Sequence, residues 1–348
     1  MKILLCGGAG FIGSHFATIR LLQHNDSIVV LDKLTYAGRR QNLAHLEGHP
    51  SFAFVHGAIE SPKDVQRALS APARAGEPPF DAIVNFAAET HVDRSIAAAH
   101  DFIQTNLLGT NVLLEAAIQH RLRYVQVSTD EVYGSIEEGT FTELSPLAPS
   151  SPYAASKAGA DLLVLSCCHT HGLHGSICRG SNNYGPRQYP EKLIPLIILN
   201  ALHNDPLPVY GDGRQVRNWI HVTDFASAVG IVLEEGAPGE VYNAGGPDEC
   251  ANIDVVERIV ALTSASPDSI EHIADRPGHD RRYSLSSEKV RALGWRPRVR
   301  FNQGLADTVA WYRDNVSWWE PIRSGEYRAY YERQYDKPLR SGPAHSTQ

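Results

Sequence analysis

The sequence predicts an α/β fold built on a doubly wound parallel sheet, and three observations support this prediction. Short β-rich runs alternate with helical patterns through the first half of the chain. These runs are mostly apolar along their whole length, as expected of strands that flanking helices bury on both faces. A glycine-rich turn at residues 7–13 follows the first run and precedes a helical pattern. Such alternation is typical of a parallel sheet with helices on both sides.

The elements can be assigned in chain order. The predicted strands comprise residues 3–6, 28–31, 52–56, 82–86 and 124–128. The first helix is expected to begin near Ser14, and the longest to span about residues 101–120. A further helix is expected after Pro152, because proline suits the first turn of a helix. In the longest helix, apolar residues recur near a 3.6-residue period and predict one buried face: Phe102, Ile103, Leu107, Leu108, Val112, Leu113 and Ala116.

The second half is less regular and predicts a smaller, mixed α/β substrate domain. Proline and glycine clusters interrupt it at several points, which indicates long loops. We expect the first domain at residues 1–180, with later segments returning to it, and the second at residues 181–331. Residues 70–79 read as an exposed loop and residues 332–348 as a mobile tail.

Composition excludes several classes of protein. The formal net charge of -7 argues against nonspecific nucleic-acid binding but leaves room for a small anionic ligand. No stretch approaches the roughly 20 apolar residues that span a bilayer. The 5 cysteines include no C-x-x-C pair, so reduced thiols are favoured over disulfides or a metal site. We therefore expect a cytoplasmic protein that binds neither nucleic acid nor membrane.

The glycine-rich turn indicates dinucleotide binding. Its spacing suits a tight turn, close backbone approach to a pyrophosphate, and a helix N-terminus facing the phosphates. Asp32 ends the next strand, about 20 residues after Gly13, where a carboxylate accepts hydrogen bonds from a ribose 2′-hydroxyl and repels a 2′-phosphate. NAD is thus favoured over NADP. Arg39 and Arg40 are the opposing signal, although solvent-facing arginines are common.

Tyr153 and Lys157 form a Y-x-x-x-K pair on one face of the predicted helix. A tyrosine has a pKa near 10, and a nearby ammonium together with a positively charged nicotinamide would lower it. Taken alone, a Y-x-x-x-K pair usually occurs by chance on a protein surface and has no catalytic function. Combined with the glycine turn, it resembles the extended short-chain dehydrogenase/reductases, which implies a Rossmann-type sheet.

Residues 129–131, Thr-Asp-Glu, follow the fifth strand at the edge where parallel sheets bind ligands. Without context they would be two solvated acids in a loop. In context the triplet resembles that of nucleotide-sugar 4,6-dehydratases, whereas related epimerases usually carry small or apolar residues there. Eliminating water requires one group to remove the C5 proton and another to protonate the departing C6 hydroxyl.

Further segments between residue 1 and about residue 320 resemble the dTDP-glucose 4,6-dehydratase family: residues 31–38, 86–95, 182–186, 190–195, 210–213, 217 and 275–283. The resemblance implies these catalytic residues: Thr129, Asp130, Glu131, Tyr153 and Lys157. It implies NAD contacts from Gly7, Gly10, Phe11, Ile12, Gly13, Asp32, Lys33, Leu34, Thr35, Ala58, Ile59, Phe86, Ala87, Ala88, Thr105, Tyr153, Lys157 and Asn183. It implies sugar-nucleotide contacts from Thr90, Thr129, Asn182, Lys192, Leu193, Pro208, Tyr210, Arg217, Asn252, Asp275, Arg276 and His279. His91 and His279 could equally be structural histidines.

The implied reaction is redox-neutral. Tyr153 accepts the C4-hydroxyl proton while hydride passes to NAD, with Thr129 at the C4 oxygen. Glu131 removes the C5 proton, Asp130 protonates the leaving C6 hydroxyl, and hydride returns to C6. Asp130 must therefore be neutral, although a free aspartate has a pKa near 3.9. Strict strand alternation would also send Asp130 and Glu131 to opposite faces, so the backbone must turn there.

Alternatives remain open at this point. Another sugar-nucleotide 4,6-dehydratase, a 4-epimerase or decarboxylase, and a non-catalytic NAD-sensing regulator would share the cofactor end. The residues alone do not decide which base the nucleotide carries, and thymidine follows from the resemblance only. The resemblance also implies a homodimer, in which helices 101–120 and that starting near Tyr153 pair with their counterparts.

Two positions depart from the family pattern. Ala58 stands where an acid usually contacts the adenine amine, and losing that hydrogen bond would cost on the order of 1 kcal/mol of NAD affinity. Cys6 replaces a usual threonine, where we expect a packing change without loss of activity.

Overall fold

The computed structural model describes residues 1–72, 79–275 and 278–323. The strands are β1 (Lys2–Cys6), β2 (Ser27–Asp32), β3 (Phe52–His56), β4 (Ala82–Asn85), β5 (Arg123–Thr129), β6 (Gly175–Gly180), β7 (Asn182–Tyr184), β8 (Leu207–Tyr210), β9 (Val216–His221), β10 (Val241–Ala244), β11 (Asp248–Ala251) and β12 (Ile270–Ile273). The α-helices are α1 (Phe11–Gln23), α2 (Pro62–Leu69), α3 (Val92–Ala97), α4 (His100–Phe102), α5 (Thr110–His120), α6 (Pro152–His171), α7 (Leu193–His203), α8 (Val222–Glu235), α9 (Asn252–Thr263), α10 (Glu288–Ala292), α11 (Phe301–Asp314) and α12 (Val316–Arg323). Short 3₁₀ helices span Arg40–Leu46, Asp130–Tyr133 and Pro267–Ser269, and a π-helical segment spans Ile103–Gly109.

A seven-stranded sheet forms the larger layer of the fold. Its strand order is β10-β6-β5-β4-β1-β2-β3, and every pairing is parallel. The chain leaves the sheet centre in one direction from β1 to β3 and then in the other from β4. This reversal opens a crevice beyond the carboxyl ends of β1 and β4, the usual ligand site of such sheets.

Apolar clusters cover both faces of this sheet. One joins β1 and β2 to α1 and α8 through side chains such as Phe16 and Phe225. The other joins the opposite face to α2, α5 and α6 through side chains such as Val65, Leu113 and Val164. The strands are buried on both sides for this reason, and the predicted doubly wound α/β class is confirmed.

Smaller sheets and helices stand beyond the carboxyl ends of the large sheet. A three-stranded sheet has the order β11-β9-β7, and β8 pairs with β12 in a two-stranded one. Helices α7, α9 and α11 share an apolar cluster with β8. The boundary at residue 180 stays a prediction, and β10, late in the chain, does pair with β6 in the large sheet.

Two helices differ from the prediction. Helix α1 begins at Phe11, three residues before the expected start, because the glycine turn leads directly into it. The stretch expected as one long helix instead passes from α4 through the π-helical segment into α5. Ile103 and Leu108, predicted on the buried face, are 49% and 51% exposed, so the prediction is wrong for these two residues. On a helix of 3.6 residues per turn, both lie about 100° or more around the axis from the buried Phe102.

Three further expectations concern membrane spans, the cysteines, and the predicted loop and tail. Among the described residues, no helix has both the length and the apolarity needed to cross a bilayer. All five cysteines are free thiols, and Cys6, Cys178 and Cys250 are buried. Most of the predicted loop at 70–79, and the whole predicted tail at 332–348, lie outside the described residues.

Candidate active site

A cleft of about 400 Å³ lies at the crevice of the large sheet. The glycine turn, the ends of β2, β4 and β5, and the start of α6 line one side. The other side is formed by residues after β6 and from α7, β8 and β9. The cleft thus spans both parts of the fold, which suits a ligand with two chemically different ends.

The glycine turn places backbone close to the cleft. Gly7 has φ +74°, and a Cβ there would lie 2.4 Å from the backbone nitrogen of Ala87. A Cβ on Gly13 would lie 2.3 Å from the carbonyl oxygen of Gly7. Helix α1 begins directly after Gly10 and has no side-chain cap. Its first N–H groups therefore face the cleft region without a capping side chain, as in anion-binding helix ends.

Asp32 ends β2 at the edge of the same cleft. Its two oxygens accept the N–H groups of Ala9, at 2.9 Å, and Leu34, at 2.8 Å. Burial raises the pKa of Asp32, and the two N–H groups oppose the rise. A carboxylate has about four acceptor positions, so both oxygens retain capacity for a ribose hydroxyl.

The strand-to-turn transition at residue 129 brings the predicted acid and base together. Strand β5 ends at Thr129, and the 3₁₀ helix starts at Asp130, which is the backbone turn that the sequence required. The Thr129 hydroxyl caps this helix by accepting the N–H of Glu131 at 3.3 Å, and it donates to Asp130 Oδ1 at 3.3 Å. Because strand alternation stops here, all three side chains line the cleft.

Asp130 occupies a setting that favours its neutral form. It is 2% exposed, and its Oδ2 has no hydrogen-bond partner among the described residues. Burial raises the pKa of Asp130 to about 8; the charge of Glu131 adds to the rise, and the Arg217 guanidinium opposes it. A protonated carboxylic acid at neutral pH is what the expected proton donor needs.

Helix α6 carries Tyr153 and Lys157, which both line the cleft. Pro152 occupies its first turn, and the Ser151 hydroxyl caps it by accepting the N–H of Ala154. Lys157 Nζ donates to the carbonyl oxygen of Val127 at 2.7 Å. Burial lowers the pKa of Lys157 to about 8, and the Asp161 carboxylate opposes the fall.

The protein chain alone raises the tyrosine pKa, and the expected lowering by Lys157 together with a bound nicotinamide stays a prediction. Burial raises the pKa of Tyr153, and the charges of Glu131 and Asp130 add to the rise. A side-chain hydrogen bond with Thr129 acts in the opposite direction. The sequence placed the lysine near the tyrosine but could not reveal how deeply both are buried, and burial is the larger effect.

Comparison with known proteins decides the family. A family model described as GDP-mannose 4,6 dehydratase matches residues 4–308. A dTDP-glucose 4,6-dehydratase of Streptomyces niveus is 52% identical over 331 residues, which cover 93% of this chain and 96% of that protein. The chain belongs to the dTDP-glucose 4,6-dehydratase family. The resemblance inferred from sequence motifs is thus confirmed.

Solved structures agree with this membership. A dTDP-glucose 4,6-dehydratase from Streptomyces venezuelae, crystallised with NAD bound, matches with a TM-score of 0.88 at 49% identity, covering 92% of this chain and 100% of that one. A UDP-glucose 4-epimerase from Thermus thermophilus, in complex with NAD, matches with a TM-score of 0.83 at 31% identity, covering 91% and 100%. The fold alone therefore does not separate dehydratases from epimerases. The distinction has to come from the side chains in the cleft.

Most residues that the dTDP-glucose 4,6-dehydratase resemblance implied line the one cleft. All five implied catalytic residues do so. Leu34, Ala58 and Asp275 do not: Leu34 donates its N–H to Asp32, Ala58 donates to Asp64, and Asp275 bonds His279. Arg276 lies outside the described residues. The contacts themselves stay predictions.

Two basic side chains that the resemblance implies for the sugar-nucleotide end, Lys192 and Arg217, line the cleft. Lys192 Nζ donates to the carbonyl oxygen of Thr90 at 2.8 Å. Arg217 donates to the carbonyl oxygen of Asp280 at 2.9 Å and lies over the Tyr283 ring. Both side chains are held by backbone or ring contacts, so their charges have fixed positions.

The two uncertain histidines both line the cleft and both have structural contacts. His91 Nδ1 accepts the N–H of Arg94 and so caps α3. His279 Nδ1 bonds Asp275 Oδ1 at 2.6 Å. A structural role is therefore present for each.

Glu191 is a cleft residue that the sequence reasoning did not single out. It is 6% exposed, and Tyr36 donates to its Oε1 at 2.9 Å. Burial raises the pKa of Glu191 to about 7, while Lys192 and Arg94 oppose the rise. Glu191 belongs to segment 190–195, which resembles the family, but no periodicity in the sequence distinguishes a buried acid there from a solvated one.

Proposed function

We propose that this protein dehydrates dTDP-glucose to dTDP-4-keto-6-deoxyglucose as an NAD-dependent lyase. The observation that carries the proposal is the placement of Asp130 and Glu131 beside Tyr153 in one cleft. An epimerase needs the tyrosine and lysine but has no task for a neutral acid next to a second carboxylate. Water elimination needs both.

NAD fits the residues of the cofactor end. The Gly7 and Gly13 contacts leave no room for side chains between the turn and the backbone around it, and the N-terminus of α1 opens beside them. Asp32 lines the same cleft, and a carboxylate there would accept a hydrogen bond from a ribose hydroxyl, which supports NAD over NADP. When bound, NAD accepts a hydride from the sugar and later returns it.

The chain's own groups divide the proton transfers. Tyr153 accepts the C4-hydroxyl proton, and Thr129, which lines the same cleft, orients the C4 oxygen. The resulting 4-ketone acidifies C5, whose proton Glu131 removes. Asp130 gives its proton to the C6 hydroxyl, which leaves as water. Each proton removed from the sugar thus has a named acceptor and the leaving group a named donor.

Mass spectrometry after incubation with dTDP-glucose tests this function. Loss of one water from the sugar nucleotide supports a dehydratase, while isomerisation without mass change would indicate a 4-epimerase. Nucleotide binding without turnover would indicate an NAD-sensing regulator. UDP-glucose and GDP-mannose, incubated in parallel, decide the base preference, since thymidine rests on similarity to the relatives.

The oligomeric state and the cellular location are part of the same proposal. We propose a homodimer, supported by exposed apolar side chains on adjacent helical segments, Leu108 in the π-helical segment and Leu162 on α6, at 51% and 56% exposure. We also propose that the enzyme acts in the cytoplasm, in keeping with its free cysteines.

A further inference from the structure

A buried carboxylate without a catalytic task lies one helical turn beyond Lys157. Asp161 is the fourth residue after Lys157 on α6, so both lie on one face of the helix. The residue is 0% exposed. Because a buried carboxylate is costly unless it is paired, Asp161 requires a compensating interaction.

The partners of Asp161 satisfy one of its two oxygens. Oδ2 accepts Arg179 Nε at 2.8 Å and the Ser128 hydroxyl at 3.0 Å. Arg179 also donates to the Tyr133 hydroxyl at 2.7 Å, and Tyr133 donates to Asn243 at 2.9 Å. Oδ1 is buried without a hydrogen-bond partner among the described residues. The ion pair therefore leaves one oxygen uncompensated.

The buried Lys157 side chain requires a nearby negative charge to stay in its ammonium form. Lys157 is 4% exposed, and burial favours its neutral amine. Its single hydrogen bond to a carboxylate or carbonyl among the described residues is the one to Val127. The Asp161 carboxylate is the group that raises the pKa of Lys157 against burial.

We propose that Asp161 is a positioning residue whose carboxylate keeps Lys157 in the ammonium form on which a tyrosinate at Tyr153 depends. The proposal rests on the proposed function for the role of that ammonium. The other charged or titratable groups of the described residues that interact with Asp161, Lys157 or Tyr153 are Arg179 on β6, Tyr124 on β5, and Asp130 and Glu131 on the 3₁₀ helix. The Asp161 charge by itself raises the pKa of Tyr153, so its proposed benefit acts through Lys157.

Asp161 could instead only anchor β6 through Arg179. Titration of Lys157 in the full-length enzyme, followed by NMR of ¹³C-labelled lysine, separates the two roles. Lys157→Arg assigns the resonance. In Asp161→Asn we expect the Lys157 midpoint to fall by about 1–3 pH units. The alkaline limb of the kcat profile should move by the same amount.

Tyr133→Phe is the matched control, because it also removes one partner of Arg179 but leaves the Asp161 charge in place. Its Lys157 midpoint should equal that of the wild type. An unchanged midpoint in Asp161→Asn would overturn the proposal and leave Asp161 a structural anchor.

The paired variant Asp161→Asn/Arg179→Gln covers the case in which the single variant does not fold, since a neutral pair replaces the ion pair without a lone buried charge. The Lys157 midpoint should fall by less than in Asp161→Asn, because removal of the Arg179 charge acts in the opposite direction. A midpoint at or above that of the wild type would overturn the proposal. The NMR titration needs no turnover. Absence of water loss by the wild type would therefore count against the proposed function alone.

Discussion

Asp130 and Glu131 are the same kind of acid, adjacent in the chain, yet their surroundings suit the opposite tasks that we propose for them. Asp130 is buried, and burial raises its pKa to about 8, whereas Glu131 is partly exposed. Environments that separate two titratable groups in this way identify the acid and the base of a site. The proposed proton-transfer roles therefore rest on the difference in burial and not on residue type.

Asp130→Asn and Glu131→Gln test these roles directly. Each should slow water elimination by about 10²–10⁴-fold, the range for loss of a general acid or base. C4 oxidation, followed as NADH absorbance in a single turnover, should survive better than elimination. Glu138→Gln, at an exposed acid in the next loop, should leave both steps unchanged. Unimpaired elimination in both variants would contradict the assignment.

Asp130 also makes a prediction about stability. Its pKa is about 8 in the folded chain and near 3.9 when unfolded, so between these values the folded state binds an extra proton. Stability contributed by this group is therefore present at low pH and lost as pH rises towards 8. Asp130→Asn should consequently be more stable than the wild type above pH 8, by about 1–3 kcal/mol. Urea unfolding at pH 6 and pH 9 measures this, and an equal difference at both would refute it.

At the scale of elements, the site depends on how strands end. Strand β1 ends in a turn that only glycine fits at residue 7, and β5 ends where Thr129 caps a 3₁₀ helix. Both ends lie at the same edge of the sheet because the strands are parallel. The cofactor and proton-transfer groups are thereby brought together from distant parts of the chain.

Gly7→Ala tests the close approach at the first of these turns. A Cβ would meet the Ala87 backbone at 2.4 Å, so we expect NAD binding to be lost, as measured by calorimetry. Gly48→Ala is the matched control, because Gly48 has φ +84° but nothing within 4 Å. It should lose only about 1–2 kcal/mol of stability, for the left-handed backbone, and still bind NAD. Equal effects in both variants would mean that φ alone matters.

The same elements explain what the sequence could predict. The strands were predictable because burial on both faces gives continuous apolar runs, as in residues 28–31. The triplet at 129–131 and the pair Tyr153 and Lys157 are local patterns, so their meeting at one sheet edge followed from topology. Glu191 and Asp161 were not predictable as buried acids, because their burial depends on segments far away in the chain. The π-helical segment likewise has no signal in a period count.

For the whole molecule, net charge and ligand charge point in different directions. The chain carries a formal charge of -7, yet the proposed ligands are two diphosphates. Lys192 and Arg217 line the cleft, and the N-terminus of α1 adds partial positive charge at the other end. Overall charge describes solubility, while binding depends on the field inside the cleft.

The proposed homodimer is testable at this scale. Leu162→Asp places a charge on the exposed apolar face of α6 and should convert the dimer to a monomer near 38.2 kDa in light scattering. Leu22→Asp, at a residue of α1 that is 54% exposed, should leave the mass at the dimer value. A wild-type protein that is monomeric under dilute conditions would contradict the homodimer.

The π-helical segment presents side chains in two directions from one short stretch of backbone. Thr105 in this segment lines the cleft and accepts a hydrogen bond from Lys33 Nζ at 2.8 Å, and Asn106 bonds the Glu89 backbone and Ser156. Leu108, two residues on, faces outward. One short segment therefore joins the cofactor end of the cleft to the proposed dimer face, so a substitution at Leu108 acts within three residues of a side chain that lines the cleft.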